Sequence, residues 1–155
     1  MAEPTPFAIT QLFGGLVGRN VTVTQVTKYL PNKVKQMYGT YLVKPMDSTR
    51  IVQADLPLLG SLAGCLLGLP SDAVKERVGA AEIEEGFRDA IHEVLNIAST
   101  IVSTEYRAVF QKMFADPVYL PSEAADTFKD PVYRNYFTIK VDGYEGGNFN
   151  ILAPL

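Results

Sequence analysis

Residues 49–70 read TRIVQADLPLLGSLAGCLLGLP, and the fold depends on how the two parts of this stretch are assigned. The first part, TRIVQADL, is rich in β-branched residues and reads as a strand. The second, LPLLGSLAGCLLGLP, is the most apolar segment of the chain. It is shorter than the roughly 20 apolar residues that cross a bilayer, and Gly60, Gly64 and Gly68 interrupt it. The expectation is a buried helix over residues 56–69. A strand leading into such a helix indicates an α/β (α+β) fold with helices packed on a sheet.

The same strand character recurs upstream. VTVTQVTKYL (21–30) alternates Val21 and Val23 with Thr22 and Thr24, and VKQMYGTYLVKP (34–45) is similarly β-branched and aromatic. Together with TRIVQADL these predict three antiparallel strands, with a tight turn at Asp47-Ser48. Before them, TPFAITQLFGGLVGRN begins with Thr5 as a cap and Pro6 at the first helical position, with Phe7, Leu12, Phe13 and Leu16 as an apolar face.

Downstream, Pro70-Ser71-Asp72 signals a break, and a helical pattern runs from about Ala81 to Met113 with room for an interruption. FADPVYLP (114–121) and DPVYRNYFTIKVDGYEGGNFNILAPL (130–155) return to strand composition. In the second of these, DGYEGG reads as a hairpin loop whose Gly143, Gly146 and Gly147 can take positive φ. The second half therefore repeats the order of the first, a helix followed by strands, which predicts a pseudo-two-fold fold. MYGTYLVKPMD and VYRNYFTIKVD share Tyr38/Tyr133, Tyr41/Tyr136 and Asp47/Asp142 at one constant offset. A duplication leaves such matches, and so do any two amphipathic hairpin strands. No linker or low-complexity tract divides the chain, so residues 1–155 are expected to form one domain.

The 155 residues are enough to bury a sizeable core, and 47% apolar with 20% charged residues is ordinary for a globular chain. A net charge of −3 with scattered basic residues argues against nucleic acid as a partner. Cys65 is the sole cysteine, which excludes an intrachain disulfide and reads as a buried thiol in a reducing compartment. MAEPTPFAIT lacks the basic and apolar regions of a secretory signal, so a cytoplasmic location is expected.

AIHEVLNIAST (90–100) carries the candidate chemistry. At about 100° per residue, Ile91, Leu95, Ala98 and Val102 share one side, with Phe87 and Val94 beside them. Asp89, His92, Glu93, Asn96, Thr100 and Ser103 form the opposite, polar strip. Glu93 and Asn96 are i, i+3 neighbours able to reach one object outside the helix. Asn96 is a mediocre helix former expected mid-helix with no cap to make, and the strip has no cation near Glu93 other than the more distant Arg88. Polar strips are also what any surface helix shows. His92 reads more readily as a solvent-facing residue than as a general base. Neither a Ser-His-acid set nor a phosphate-binding glycine loop is present.

These residues resemble the CheX/CheC group of chemotaxis phosphatases, whose motif is Glu-x-x-Asn. The resemblance rests on EVLN in a second-half helix, on PFAITQLFGGLVGRNVTV and YGTYLVKP, and on an apolar helix ending in Leu-Gly-Leu-Pro. It implies a CheC-like pseudo-symmetric fold, one sheet packed by two long helices, that removes the phosphoryl group from the aspartyl phosphate of a receiver domain. Asn96 would orient the attacking water, and Glu93 would pair with the receiver's active-site lysine. Mg²⁺ would belong to the receiver, with no cofactor held by this chain. CheC-like members carry two motifs; the first helix here has none, as in CheX-like members, which tend to form homodimers. Ser99 and Thr100 follow the motif where the family commonly has a glycine. A catalytically silent receiver-binding or dimerisation module of the same fold is the alternative.

Overall fold

The computed structural model describes residues 3–29 and 31–154. Helix α1 (Pro6–Val17) starts where Thr5 accepts a hydrogen bond from the Ala8 amide at 3.1 Å and ends on Gly18, whose φ of 65° the absence of a Cβ permits. Strands β1 (Val21–Val26), β2 (Gln36–Val43) and β3 (Ser48–Asp55) follow. Then come α2 (Leu56–Leu67), α3 (Ser71–Val78), α4 (Glu85–Ile97) and α5 (Ser99–Val102). Strand β4 (Ala108–Phe114), α6 (Ser122–Lys129), β5 (Tyr133–Val141) and β6 (Gly147–Ala153) complete the chain.

All six strands join one antiparallel sheet in the order β1-β5-β6-β3-β2-β4. Exchanging β1 with β4, β2 with β5 and β3 with β6 reverses this order onto itself, so the expected pseudo-two-fold arrangement is present in the topology. Each half lends its first strand to the far side of the other. For that reason β1 pairs with β5 rather than with β2, whose outer side is occupied by β4. The predicted strand VTVTQVTKYL stops at Val26, and its last residue, Leu30, lies outside the described residues.

The sequence match between the halves does not follow this symmetry. Met37, Tyr41 and Val43 of β2 face the main core while Tyr38 faces the smaller one; on β5, Phe137 and Ile139 face the main core and Tyr136 the smaller. Tyr38/Tyr133 and Tyr41/Tyr136 differ by an odd number of positions, so each pair points to opposite faces of the sheet. The matching tyrosines therefore come from strand composition.

The main core lies between the sheet and α1, α2 and α4, and contains Phe13, Leu59, Phe87, Ile91, Leu95, Phe137 and Phe149. Helix α2 is buried along most of its length, as its composition required, and among the described residues no helix is long and apolar enough to cross a membrane. Its glycines allow α3 to pack closely. A Cβ on Gly64 would stand 2.2 Å from Val74 Cγ2, and one on Gly60 would stand 2.5 Å from Val78 Cγ2. Tyr38, Ile51 and Leu152 on the other face of the sheet are covered by Ala124 of α6 and by Leu120, just before that helix.

Three local expectations are corrected. The helical pattern to Met113 stops at Val102 and turns into β4, because Ser103 ties the corner: its hydroxyl donates to the Ser99 carbonyl at 2.7 Å and accepts from the Ala108 amide at 2.8 Å. FADPVYLP leaves β4 after Phe114 and forms a 3-10 turn at Pro117–Tyr119 leading to α6, with the Asp116 carboxylate accepting from the Val118 amide at 2.9 Å. In the β5–β6 loop only Gly143 has positive φ (81°) among the three glycines named above. Gly146 and Gly147 serve close approach instead, since added Cβ atoms would fall 2.1 Å from the Ile139 carbonyl oxygen and 2.7 Å from Asp55 Oδ2.

Candidate functional site

Helix α4 forms because Phe87, Ala90, Ile91, Val94 and Leu95 recur at helical spacing and bury one stripe. Arg88, Asp89, Glu93 and Asn96 are left exposed. Glu93 and Asn96 thus project from the same side, one turn apart, away from the sheet. Among the described residues neither side chain has a hydrogen-bond or ion-pair partner. Both are available to an object outside the molecule.

Asn96 is the penultimate residue of α4, in its last turn, rather than mid-helix. Its low helix propensity therefore costs little there, and the composition argument that singled it out loses weight. The geometry adds a different support. The last carbonyls of a helix lack partners of their own, and the fully buried Tyr41 on β2 donates its hydroxyl to the Leu95 carbonyl at 2.5 Å. Burial pushes the Tyr41 hydroxyl far above the ordinary tyrosine range, so it remains a proton donor.

A second support lies one turn on. Arg50 of β3, only 4% exposed, donates to the Val102 carbonyl at 2.6 Å and to Thr104 Oγ1 at 3.3 Å. Burial lowers its pKa, yet a guanidinium starts so high that it keeps its charge. Together with Ser103 it fixes α5 and the corner behind the motif. Sequence reasoning passed over both Tyr41 and Arg50. The detectable signal was an arginine placed directly before the apolar Ile51 and Val52 of a strand.

The other candidates fall elsewhere. His92 is half-buried rather than solvent-facing, with its ring centroid 6.2 Å from that of Phe110, and it lines a cleft that does not include Glu93 or Asn96. Thr100 is exposed, whereas the Ser103 hydroxyl is already engaged. Cys65 is half-buried, and burial raises its thiol pKa against the opposing effects of Tyr144 and Arg19, which does not favour a nucleophilic thiolate. Among the described residues no group of three or more His, Cys, Asp or Glu side chains is placed to hold a metal ion.

No family model matches the sequence, and no curated protein matches it. Solved structures do resemble its fold. FliM in a FliM–SpeE complex from H. pylori aligns with a TM-score of 0.70 at 13% identity over 96% of this chain and 81% of that one. The FliM middle domain from H. pylori gives 0.62 at 15% identity, over 96% and 84%. FliY from Thermotoga maritima gives 0.57 at 14% identity, over 93% and 81%. At such identities the likeness concerns architecture. The chain has the fold of the CheC and FliM-middle-domain group, as the resemblance implied.

Proposed function

We propose that the chain docks on the receiver domain of a response regulator through α4 and accelerates hydrolysis of its aspartyl phosphate. The observation that carries this reading is the unpartnered pair Glu93 and Asn96, exposed on one side of a helix end braced by Tyr41 and Arg50. The carboxamide of Asn96 offers an acceptor and donors at once, which suits it to hold a water in line with phosphorus. The water oxygen forms the new bond to phosphorus as the bond to the aspartyl oxygen breaks, leaving the receiver's carboxylate and inorganic phosphate. Such a transfer needs positioning more than covalent participation by the enzyme. Glu93 pairs with the receiver's active-site lysine and sets the docking register; desolvation offsets part of that attraction, so its contribution is mainly orientation. Mg²⁺ stays with the receiver. In this reading the protein works in the cytoplasm as a homodimer.

The test is the decay of a phosphorylated receiver, followed with and without the protein. Acceleration that Asn96→Ala abolishes supports the assignment; acceleration that survives Asn96→Ala removes Asn96 from the mechanism. A second reading, a silent binding module, is favoured by the exposed Thr100 just past the motif, where the resembled family commonly has a glycine nearby. Receiver binding without faster decay supports it. Absence of binding to any receiver counts against both.

A further inference from the structure

The two edges of the sheet are pseudo-symmetric counterparts, β1 on one side and β4 on the other. β4 carries two features that discourage further pairing: Gln111 bulges out of register between Phe110 and Lys112, and Lys112 puts a charge on the strand. β1 (Val21–Val26) has no bulge, no proline and no ionisable residue. Its free side follows from the ladder. The Asp142 amide donates to the Asn20 carbonyl at 2.9 Å, and antiparallel bonds recur at every second residue, so Thr22, Thr24 and Val26 bond to β5. Val21, Val23 and Gln25 therefore direct their N–H and C=O groups away from the sheet, and among the described residues these groups meet no partner.

We infer that β1 accepts an extended segment of a partner protein as a further strand, antiparallel to β1, uncharged and apolar at alternate positions. The row of unpaired peptide groups selects an extended backbone, because a strand presents donors and acceptors at the matching spacing. In an antiparallel pair opposite residues share a face, and the residue opposite Val23 turns its own N–H and C=O toward β1. Those same residues continue the face on which Val21 and Val23 join the main core with Phe13, Leu16 and Val17 of α1, so they are the apolar ones. The other face continues the exposed Thr22 and Thr24. Neither α1 nor β1 contains an ionisable residue, so a charged side chain brought against them loses hydration without gaining a counter-ion. A second copy fits this edge poorly. α1 packs on β1, and two copies joined there would set their α1 helices over strands about 4.8 Å apart, whereas packed helices stand about 8–10 Å apart. The inference goes beyond the phosphatase reading and does not depend on it.

The experiment is fluorescence anisotropy of a dye-labelled, end-capped peptide of alternating threonine and valine, titrated with the full chain. Two further probes carry N-methyl groups, one on the valine nitrogens and the other on the threonine nitrogens. The inference expects methylation at valine to weaken binding by at least ~10-fold, because those N–H groups face β1, and methylation at threonine to change it by less than about two-fold. Gln25→Pro removes an outward N–H and none of the ladder bonds to β5, and is expected to weaken binding of the unmodified peptide by at least ~10-fold. The methylated pair tests the inference on the unaltered chain even where Gln25→Pro perturbs β1. Equal effects of the two methylations, or no saturable binding up to millimolar peptide, overturn it. So does self-association of the chain that Gln25→Pro abolishes, which would identify a second copy as the occupant of this edge. These readouts are independent of receiver dephosphorylation, so failure here leaves the Asn96 assay to be judged separately.

Discussion

Helices α1 and α4 open the two halves of a pseudo-symmetric sheet, and both bury an apolar stripe against the main core. Their outer surfaces differ. α1 contains no acidic residue, and its exposed positions are Phe7, at 72% exposure, Ala8, Gln11 and Gly15. α4 exposes Glu85, Arg88, Asp89, Glu93 and Asn96. Packing on the sheet constrains only the inner stripe, so the solvent side of each helix is free to diverge. One architectural position can therefore carry a chemical surface while its counterpart carries none.

The strongest way to break this contrast is at the motif. Asn96→Ala is expected to lower receiver dephosphorylation by on the order of 10²-fold, the scale on which loss of nucleophile positioning is felt, with an unchanged far-UV spectrum. Equal activity in wild type and variant would make the outer face of α4 as inert as that of α1.

Glycine supplies the next contrast. Gly64→Ala in α2 drives a Cβ into Val74, a stiff branched neighbour, and is expected to cost about 1–3 kcal/mol in denaturant unfolding. Gly15→Ala in α1 meets nothing within 4 Å and is expected to stabilise by about 0.5–1 kcal/mol. Matching effects from the two substitutions would mean that α2 and α3 do not pack as closely as described.

Tyr41→Phe leaves the Leu95 carbonyl without its donor and is expected to cost about 1 kcal/mol. A pH profile sharpens this. Because the folded-state pKa of Tyr41 is raised, its contribution is complete below the unfolded tyrosine value and is lost as pH rises past about 10. Part of the alkaline loss of stability should vanish in Tyr41→Phe, as followed by thermal melts across that range. The smallest effect is expected from building a motif on α1: Ala8→Glu with Gln11→Asn creates Glu-x-x-Asn on exposed positions. Those positions lie in the first two turns of α1, not at a helix end braced as Tyr41 and Arg50 brace that of α4, so dephosphorylation should change by less than about two-fold.

Much of the fold was legible in local patterns. Val21 and Val23 alternate with threonines, Thr5-Pro6 opens α1, and the glycine-interrupted apolar run could only be interior. The pair at Glu93 and Asn96 was legible too, because helical spacing alone puts both opposite Ile91 and Leu95. The rest was decided at long range. Helical periodicity continued past Val102, but pairing with β2 draws Ala108–Phe114 into the sheet. α6 was missed because its eight residues bury little more than Ala124 and Thr127, too short a stripe to read as a period. The repeat was legible in the order of helix and strands in each half, which the symmetric topology bears out, whereas the tyrosine matches point to opposite faces and carry none of it.

The amino-acid order by itself determined which residues seek the interior and which helix carries an acid beside an amide, since both follow from side-chain chemistry and the turn angle of a helix. The tertiary structure alone decided which strands became neighbours, where α4 stops, and that a tyrosine hydroxyl and an arginine from distant strands brace the end of the motif. Those outcomes depend on contacts between residues far apart in sequence, formed only once the sheet closes its order, and no local period encodes them.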